Sequence, residues 1–98
     1  MKITKSMNGS ALEIALEGRL DTTTAPELEK ELKDSLEGAG ELTLDFSDLD
    51  YISSAGLRVL LYAHKAMAKK GGMKVKNVNE IVREVFDVTG FADILTIE

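Results

Sequence analysis

The sequence predicts an α/β fold, a mixed β-sheet of about four or five strands with an N-terminal hairpin, flanked by helices. Segments in which apolar and polar residues alternate predict strands, and segments with apolar residues three and four apart predict helices. These segments follow one another in the order β-β-α-β-α-β-α-β. No proline-rich linker or repeat interrupts the 98 residues, a length typical of one domain. We therefore expect a single domain over residues 1–98.

The first two strands are predicted to pair as a hairpin. Met1–Met7 is compatible with a strand, and the Asn8-Gly9 pair that follows is the strongest short hairpin signal. Side chains of the second strand that are predicted to face the core are Leu12, Ile14 and Leu16.

A capping box predicts the start of the first helix. Thr24–Glu27 has the S/T-x-x-E form, with its proline in the first turn, where the missing N–H does no harm. Leucines then recur four residues apart, and Gly38 and Gly40 are expected to end the helix. A strand over Glu41–Phe46 follows, and then a turn over Ser47–Asp50 and a short apolar step at Tyr51-Ile52.

The second helix is predicted from Ser54 to about Lys70, with Ser53 as its N-cap. Its predicted inner residues are Leu57, Leu60, Leu61 and Ala68, and its predicted outer residues are Arg58, Tyr62, Lys65 and Lys69. Met73–Val78 is the next predicted strand, and Asn79 is predicted to cap a third helix that ends at Thr89-Gly90. Predicted inner residues of that helix are Ile81, Val82, Val85 and Phe86. A last short strand is expected over Ile94–Ile97.

Composition and charge exclude several classes of function. The chain is 44% hydrophobic, has no cysteine and carries 12 basic and 17 acidic residues, for a net charge of −5. An acidic chain without a long basic stripe is a poor candidate for direct binding of nucleic acid. No apolar run approaches the roughly 20 residues of a transmembrane helix, and Met1–Lys5 lacks the apolar stretch of a secretion signal. We expect a cytoplasmic protein that does not insert into membranes.

The residue patterns of enzymes are not found. The one histidine, His64, falls near the apolar side of the second predicted helix, where a packing role is the simpler interpretation. The sequence has no nucleophile elbow and no phosphate-binding loop. Its acidic segment around Asp48 lacks the spacing of a calcium-binding loop. We expect a protein that is not an enzyme and that needs no cofactor or metal.

One segment, Asp45–Leu57, concentrates hydroxyl and carboxylate groups where a strand leads into a helix. The simplest interpretation is structural, with Ser53 capping the helix and Gly56 allowing close packing. A functional interpretation is compatible with it, because Ser54 would then lie exposed in the first helical turn. The residues alone leave both interpretations open.

The stretch Leu44–Leu61, LDFSDLDYISSAGLRVLL, resembles the signature of STAS domains, and in particular of single-domain anti-sigma factor antagonists. Glu17–Asp21 and Phe86–Phe91 fall in the same order as the corresponding segments of the family. The resemblance implies a STAS-like mixed sheet flanked by helices. It also implies that Ser54, just before the Gly-Leu of the motif, is the regulatory phosphorylation site.

The resemblance further implies the partners of the protein. An unphosphorylated antagonist binds an anti-sigma factor that is also a serine kinase, and thereby releases the sigma factor. Phosphorylation switches the antagonist off, and a phosphoserine phosphatase resets it. Residues expected to contact the partner are Asp48, Asp50, Ser53, Ser54, Arg58 and Tyr62.

Two departures from the family pattern keep alternatives open. Ser53 stands where many members have aspartate, and Ala55 where they often have serine or threonine. Ser53 is therefore a second, less favoured acceptor of phosphate. The alternative function is a STAS docking subunit that is not phosphorylated, in a membrane transport complex or signalling scaffold.

Overall fold

The computed structural model describes residues 1–98 and confirms the predicted mixed sheet. Its strands and helices are β1 (Lys2–Asn8), β2 (Ala11–Leu20), α1 (Ala25–Ser35), β3 (Glu41–Ile52), α2 (Ser54–Ala68), β4 (Met73–Lys76), α3 (Glu80–Thr89) and β5 (Thr96–Ile97). The five strands lie in the order β1-β2-β3-β4-β5, and only the β1–β2 pair is antiparallel. No helix has both the length and the apolar character needed to span a bilayer.

The hairpin forms as the sequence predicts. Asn8 pairs with Ala11, and the two-residue loop between them contains Gly9 at φ +64°, a backbone conformation that glycine adopts without steric cost. Alternate side chains of β2 and β3 then point to one side of the sheet, where they are buried: Leu12, Ile14, Leu16, Leu42, Leu44 and Phe46. No polar or charged residue is buried, and the 24 buried hydrophobic residues join in one core.

The predicted turn over Ser47–Asp50 is wrong, because β3 continues through this segment to Ile52. The register between β2 and β3 shifts twice here, and such shifts are typical of β-bulges. A bulge adds a residue on one strand and so breaks the alternation of buried and exposed positions. The strand can therefore expose Asp48 and Asp50 while it buries Leu49 and Ile52.

The capping box at the start of α1 does not form either. Thr24 is the residue before the helix, but its side chain makes no capping hydrogen bond. Its hydroxyl instead donates to the carbonyl of Arg19 and accepts from the N–H of Asp21, both at 2.8 Å. The helix ends at Ser35, earlier than predicted, and a 3-10 turn follows over Leu36–Gly38.

The inner face of α2 differs in part from the prediction. Leu57 and Leu60 are buried, Leu61 is half-buried and Ala68, the last residue of the helix, is exposed. The buried set is Gly56, Leu57, Val59, Leu60, Ala63 and Met67. The predicted outer residues Arg58, Tyr62, Lys65 and Lys69 are all exposed.

Helix α3 begins and ends as predicted. The side chain of Asn79 accepts a hydrogen bond from the N–H of Val82 at 2.8 Å, and Gly90 ends the helix in the left-handed conformation at φ +81°. Val82 and Phe86 are buried, and the ring of Phe86 lies 6.5 Å from that of Phe46. The predicted inward position of Ile81 is wrong, because 59% of this residue is exposed.

Candidate functional site

The candidate site lies where β2 and β3 end and the two following helices begin. These strands are parallel, so their carboxyl ends meet at one edge of the sheet. The N–H of Ser53, the residue before α2, donates to the carbonyl of Leu20 at the end of β2, at 2.9 Å. The N-termini of α1 and α2 therefore lie at the same edge, where ligands of open α/β sheets commonly bind.

Gly56 sets how closely the first turn of α2 approaches this edge. A Cβ atom at this position would lie 2.7 Å from Cγ of Leu20 and 2.8 Å from Cγ1 of Ile52. Both side chains are fully buried and have little room to move. The absence of a side chain at Gly56 thus allows the helix to start directly on the ends of β2 and β3.

The two serines at the start of α2 have different surroundings. Ser54 is the first helical residue and is exposed. Ser53 occupies the N-cap position, but its side chain makes no capping hydrogen bond, so the predicted capping role of its hydroxyl is wrong. The Oγ atom of Ser53 is buried and has no hydrogen-bond partner. The hydroxyl-bearing residue presented to solvent is therefore Ser54.

The outer face of α2 continues from Ser54 through Arg58 and Tyr62, at intervals of four residues. Residues four apart lie on the same face of a helix. Arg58 is exposed, takes part in none of the six ion pairs of the structure, and borders a shallow cavity of about 340 Å³ between α1 and α2. Tyr62 is 37% exposed. This face thus offers a hydroxyl, a free guanidinium and an aromatic ring.

Acidic residues of β3 precede the site along the chain. Asp48 and Asp50 are exposed at the bulged end of the strand. Asp45 lies further back, where the side-chain amide of Asn77 donates to it at 3.0 Å and the N–H of Ser47 donates at 3.0 Å. These hydrogen bonds, led by that from Asn77, stabilise the charged carboxylate and lower the pKa of Asp45 below its ordinary value.

A comparison with known protein families identifies the family of this chain. The STAS domain family matches residues 2–98, nearly the whole chain. The chain belongs to the STAS domain family.

Two relatives are named as antagonists of anti-sigma factors. The anti-sigma-B factor antagonist of Bacillus subtilis is 32% identical over 91 residues, covering 92% of this STAS domain and 84% of the relative. BtrV of Bordetella bronchiseptica, named an anti-sigma factor antagonist, is 36% identical over 99 residues, covering 99% and 85%. This STAS domain is therefore similar over its full length to small regulatory proteins.

Solved structures show the same fold. An anti-sigma factor antagonist from Mycobacterium paratuberculosis superimposes with a TM-score of 0.88 at 21% identity, over 98% of this STAS domain and 83% of that chain. The Bacillus cell fate determinant SpoIIAA, in its phosphorylated form, superimposes with a TM-score of 0.76 at 17% identity, over 99% and 91%.

The structure adds a pair of residues that sequence reasoning missed. Arg19 of β2 and Tyr51 of β3 are register partners, and the guanidinium of Arg19 lies 4.5 Å from the centre of the Tyr51 ring. Asp21, 3.7 Å from Arg19 Nε, extends this group towards α1. The hydroxyl of Thr23 and neighbouring N–H groups donate to Asp21 and lower the pKa of its carboxyl. The pairing depends on the bulge, which leaves no regular pattern in the sequence.

His64, the only histidine, does not take part in the site. It is half-buried on α2, more than two turns beyond Ser54, and its Nδ1 atom is buried without a hydrogen-bond partner. No group of three His, Asp or Glu side chains in this STAS domain is arranged to hold a metal ion.

Proposed function

We propose that this STAS domain is an anti-sigma factor antagonist regulated at Ser54. In the unphosphorylated state it binds an anti-sigma factor that is a serine kinase, and the sigma factor is released. The kinase then transfers the γ-phosphoryl group of ATP to Oγ of Ser54, which loses its proton, and ADP leaves. The observation that carries this proposal is the exposed hydroxyl-bearing residue at the start of α2, seated on the sheet by Gly56.

The N-terminus of α2 is suited to hold a phosphate without unfolding. The N–H groups of a first helical turn lack carbonyl partners within the helix, and the helix dipole favours an anion there. Arg58 lies one turn further along the same face and has no carboxylate partner. Its guanidinium can pair with the phosphate on Ser54.

The same phosphate would repel an acidic partner surface. Phosphorylation adds about −1.5 to −2 charges at neutral pH. At roughly 7 Å and an effective dielectric constant near 20, each pair of like charges costs about 2 kcal/mol. That corresponds to about a thirtyfold loss of affinity for each partner carboxylate nearby, less where salt screens the charges. Asp48 and Asp50 are exposed and add to the negative potential.

Burial supports Ser54 over Ser53 as the acceptor. A kinase needs access to the oxygen that attacks the phosphoryl group, and the Oγ atom of Ser53 is buried. Phosphorylation there would force the helix start away from Leu20, whose carbonyl accepts the Ser53 N–H. Ser54 can react without such a displacement.

The proposed partner surface consists of the exposed residues around the start of α2 together with the half-buried Ser53. Its members are Asp48, Asp50, Ser53, Ser54, Arg58 and Tyr62. We place the partner exchange in the cytoplasm, together with the phosphoserine phosphatase that restores the free hydroxyl. The names of the two curated relatives support the anti-sigma factor as partner.

Co-purification tests the proposal. Tagged wild type, Ser54→Ala and Ser54→Asp are expressed in the native organism, and the bound proteins and phosphosites are identified by mass spectrometry. We expect wild type and Ser54→Ala to retain a kinase-type anti-sigma factor, and Ser54→Asp to lose at least about nine-tenths of it, a tenfold effect. Equal recovery with all three would instead favour the docking subunit that is not phosphorylated. A phosphate on Ser53 would move the regulatory site.

A further inference from the structure

Helix α3 carries a second apolar stripe, of which only the central residue, Val85, packs against the core. Val82 and Phe86 bury one side of the helix in the core. On another side, Ile81 is 59% exposed, Val88 is 79% exposed and Val85 between them is half-buried. Their spacing of i, i+4 and i+7 aligns them along the helix. We call Ile81, Val85 and Val88 the α3 stripe.

The α3 stripe lines a shallow groove of about 300 Å³, together with Glu84 and Thr89. Single exposed apolar residues are ordinary on protein surfaces, whereas contiguous exposed apolar patches are typical of interaction sites. Amphipathic helices bind such grooves through apolar side chains at the same i, i+4 and i+7 spacing. The shape of the groove therefore fits one helix laid along α3.

Charge identifies the kind of helix that fits. Viewed down the helix axis, successive residues are about 100° apart. In this view Glu84, Glu80 and Asp87 lie roughly 70° to 130° around the helix from the centre of the stripe, all on the same side of it. All three are exposed. The one basic residue of the helix, Arg83, lies beyond them and within 3.5 Å of Asp87. The α3 stripe is thus bordered along its solvent side by a row of carboxylates.

We infer that the outer face of α3 docks an amphipathic helix of a partner protein whose apolar stripe is bordered by lysine or arginine. A second copy that packs α3 antiparallel to α3 about a two-fold axis fits poorly, because this axis keeps both acidic rows on the same side. The three carboxylates of one copy would then face the three of the other, and like charges at an interface oppose association.

This docking face uses none of the residues of the Ser54 site. The side chain of Asn79 donates to the carbonyl of Leu49 at 2.8 Å, which fixes the start of α3 beside the bulged end of β3. The phosphate on Ser54 would add its charge to α2, outside the docking face on α3. We therefore expect binding at α3 to be independent of the state of Ser54, and failure of either proposal leaves the other testable.

The test uses a synthetic helical peptide with leucines at i, i+4 and i+7 bordered by lysines, and a matched peptide with glutamate in place of each lysine. Binding to the full chain is followed by NMR chemical-shift mapping and calorimetry. We expect the basic peptide to shift the amide signals of α3, and to bind at least about tenfold more tightly than the acidic one. The same result is expected with Ser54→Asp.

Exposed substitutions then locate the site. Val88→Ser and Glu84→Lys should each weaken binding of the basic peptide at least about fivefold, whereas Glu27→Lys, the same charge change on α1, should leave it within about twofold. Circular dichroism checks that the variants are folded. Shifts confined to other elements, equal binding of both peptides, or insensitivity to both α3 substitutions would each overturn the inference. Self-association that Val88→Ser abolishes would show that a second copy occupies the face.

Discussion

Gly56 of α2 and Leu20 of β2 approach each other so closely that a Cβ atom on the glycine would lie 2.7 Å from Cγ of the leucine. The contact joins residues 36 positions apart in the chain, at the point where α2 starts. It lies two residues from Ser54, the proposed acceptor of phosphate. The geometry of the proposed regulatory surface therefore depends on this contact.

Gly56→Ala should destabilise the protein. In a helix interior alanine is favoured over glycine by about 1 kcal/mol, so propensity alone predicts a gain. Here the added methyl group would overlap Leu20 and Ile52, and overpacking of a core typically costs about 1–3 kcal/mol. We expect a net loss of about 1 kcal/mol or more in the free energy of unfolding, measured by urea denaturation.

Gly38→Ala provides the matched control. A Cβ atom on Gly38 has nothing within 4 Å, and its φ is not positive. We expect unchanged stability or a gain of up to about 1 kcal/mol, from the smaller entropy of the unfolded chain. Equal effects of the two substitutions would show that the contact with Leu20 does not decide the outcome.

Ser53→Ala should leave the fold as stable as wild type or make it slightly more stable. The hydroxyl removed has no hydrogen-bond partner and is buried, so the variant loses no bond and escapes the cost of an unpaired polar group. An effect within about 0.5 kcal/mol, or a gain, is expected in urea denaturation. A loss of about 1 kcal/mol or more would indicate a capping bond like that of the Asn79 side chain in α3.

Arg58→Gln should raise the second pKa of a phosphate on Ser54. That pKa lies near about 6 for a free phosphoserine, and the neighbouring guanidinium favours the doubly charged form and lowers it. Titration of the phosphorylated protein by phosphorus NMR measures the change directly. Lys65→Gln, a neutralisation further along the exposed side of α2, should have a smaller effect; equal shifts would contradict a specific Arg58 pair.

Lys70→Met should destabilise the junction between the end of α1 and β3. The ammonium group of Lys70 donates to three carbonyls, those of Leu36, Glu37 and Ala39, at 2.6, 3.0 and 3.0 Å. Hydrogen bonds from a charged donor contribute about 1.5–3 kcal/mol, and partial exposure reduces this. We expect a loss of about 1 kcal/mol in urea denaturation, against less than about 0.5 kcal/mol for Lys69→Met.

Asn77→Gly should raise the pKa of Asp45 towards its ordinary value, because the amide that stabilises the charged carboxylate is removed. Glycine preserves the backbone at this position, where φ is +61°. A lowered pKa in the folded state gives stability that is present above the unfolded value of 3.8 and is lost as the pH falls through the folded value. The variant should therefore lose less stability than wild type as the pH falls from about 5 to strongly acidic values. Carboxyl NMR titration measures the pKa, and an unchanged value would contradict the assignment.

Much of the fold follows from patterns within short segments. The Asn8-Gly9 turn, the Asn79 cap and the Gly90 helix end all formed where predicted, because each depends on backbone preferences of one or two residues. The alternation in β2 and the spacing of Leu57 and Leu60 in α2 were also sufficient to orient those elements.

The errors lie where residues outside the predicted element decide the local structure. The hydroxyl of Thr24 bonds to the backbone of Arg19 and Asp21 and not to its own helix. Ile81 stays exposed because α3 turns Val82 and Phe86 into the core, with the Phe86 ring near that of Phe46. Such outcomes depend on packing of the whole core. A helical or capping pattern in one segment contains no information about them.

The sequence by itself determined the order of the elements and pointed to Ser53 and Ser54 through the motif that contains them. The motif favoured Ser54, and only the tertiary structure showed the physical difference between the two serines, the burial of the Ser53 hydroxyl oxygen. The pairing of β3 with β2, with its two shifts in register, carries the strand to Ile52 and brings Ser53 N–H onto Leu20. That contact buries one hydroxyl oxygen and leaves the neighbouring serine exposed, because burial depends on which strands and helices meet at the end of the sheet.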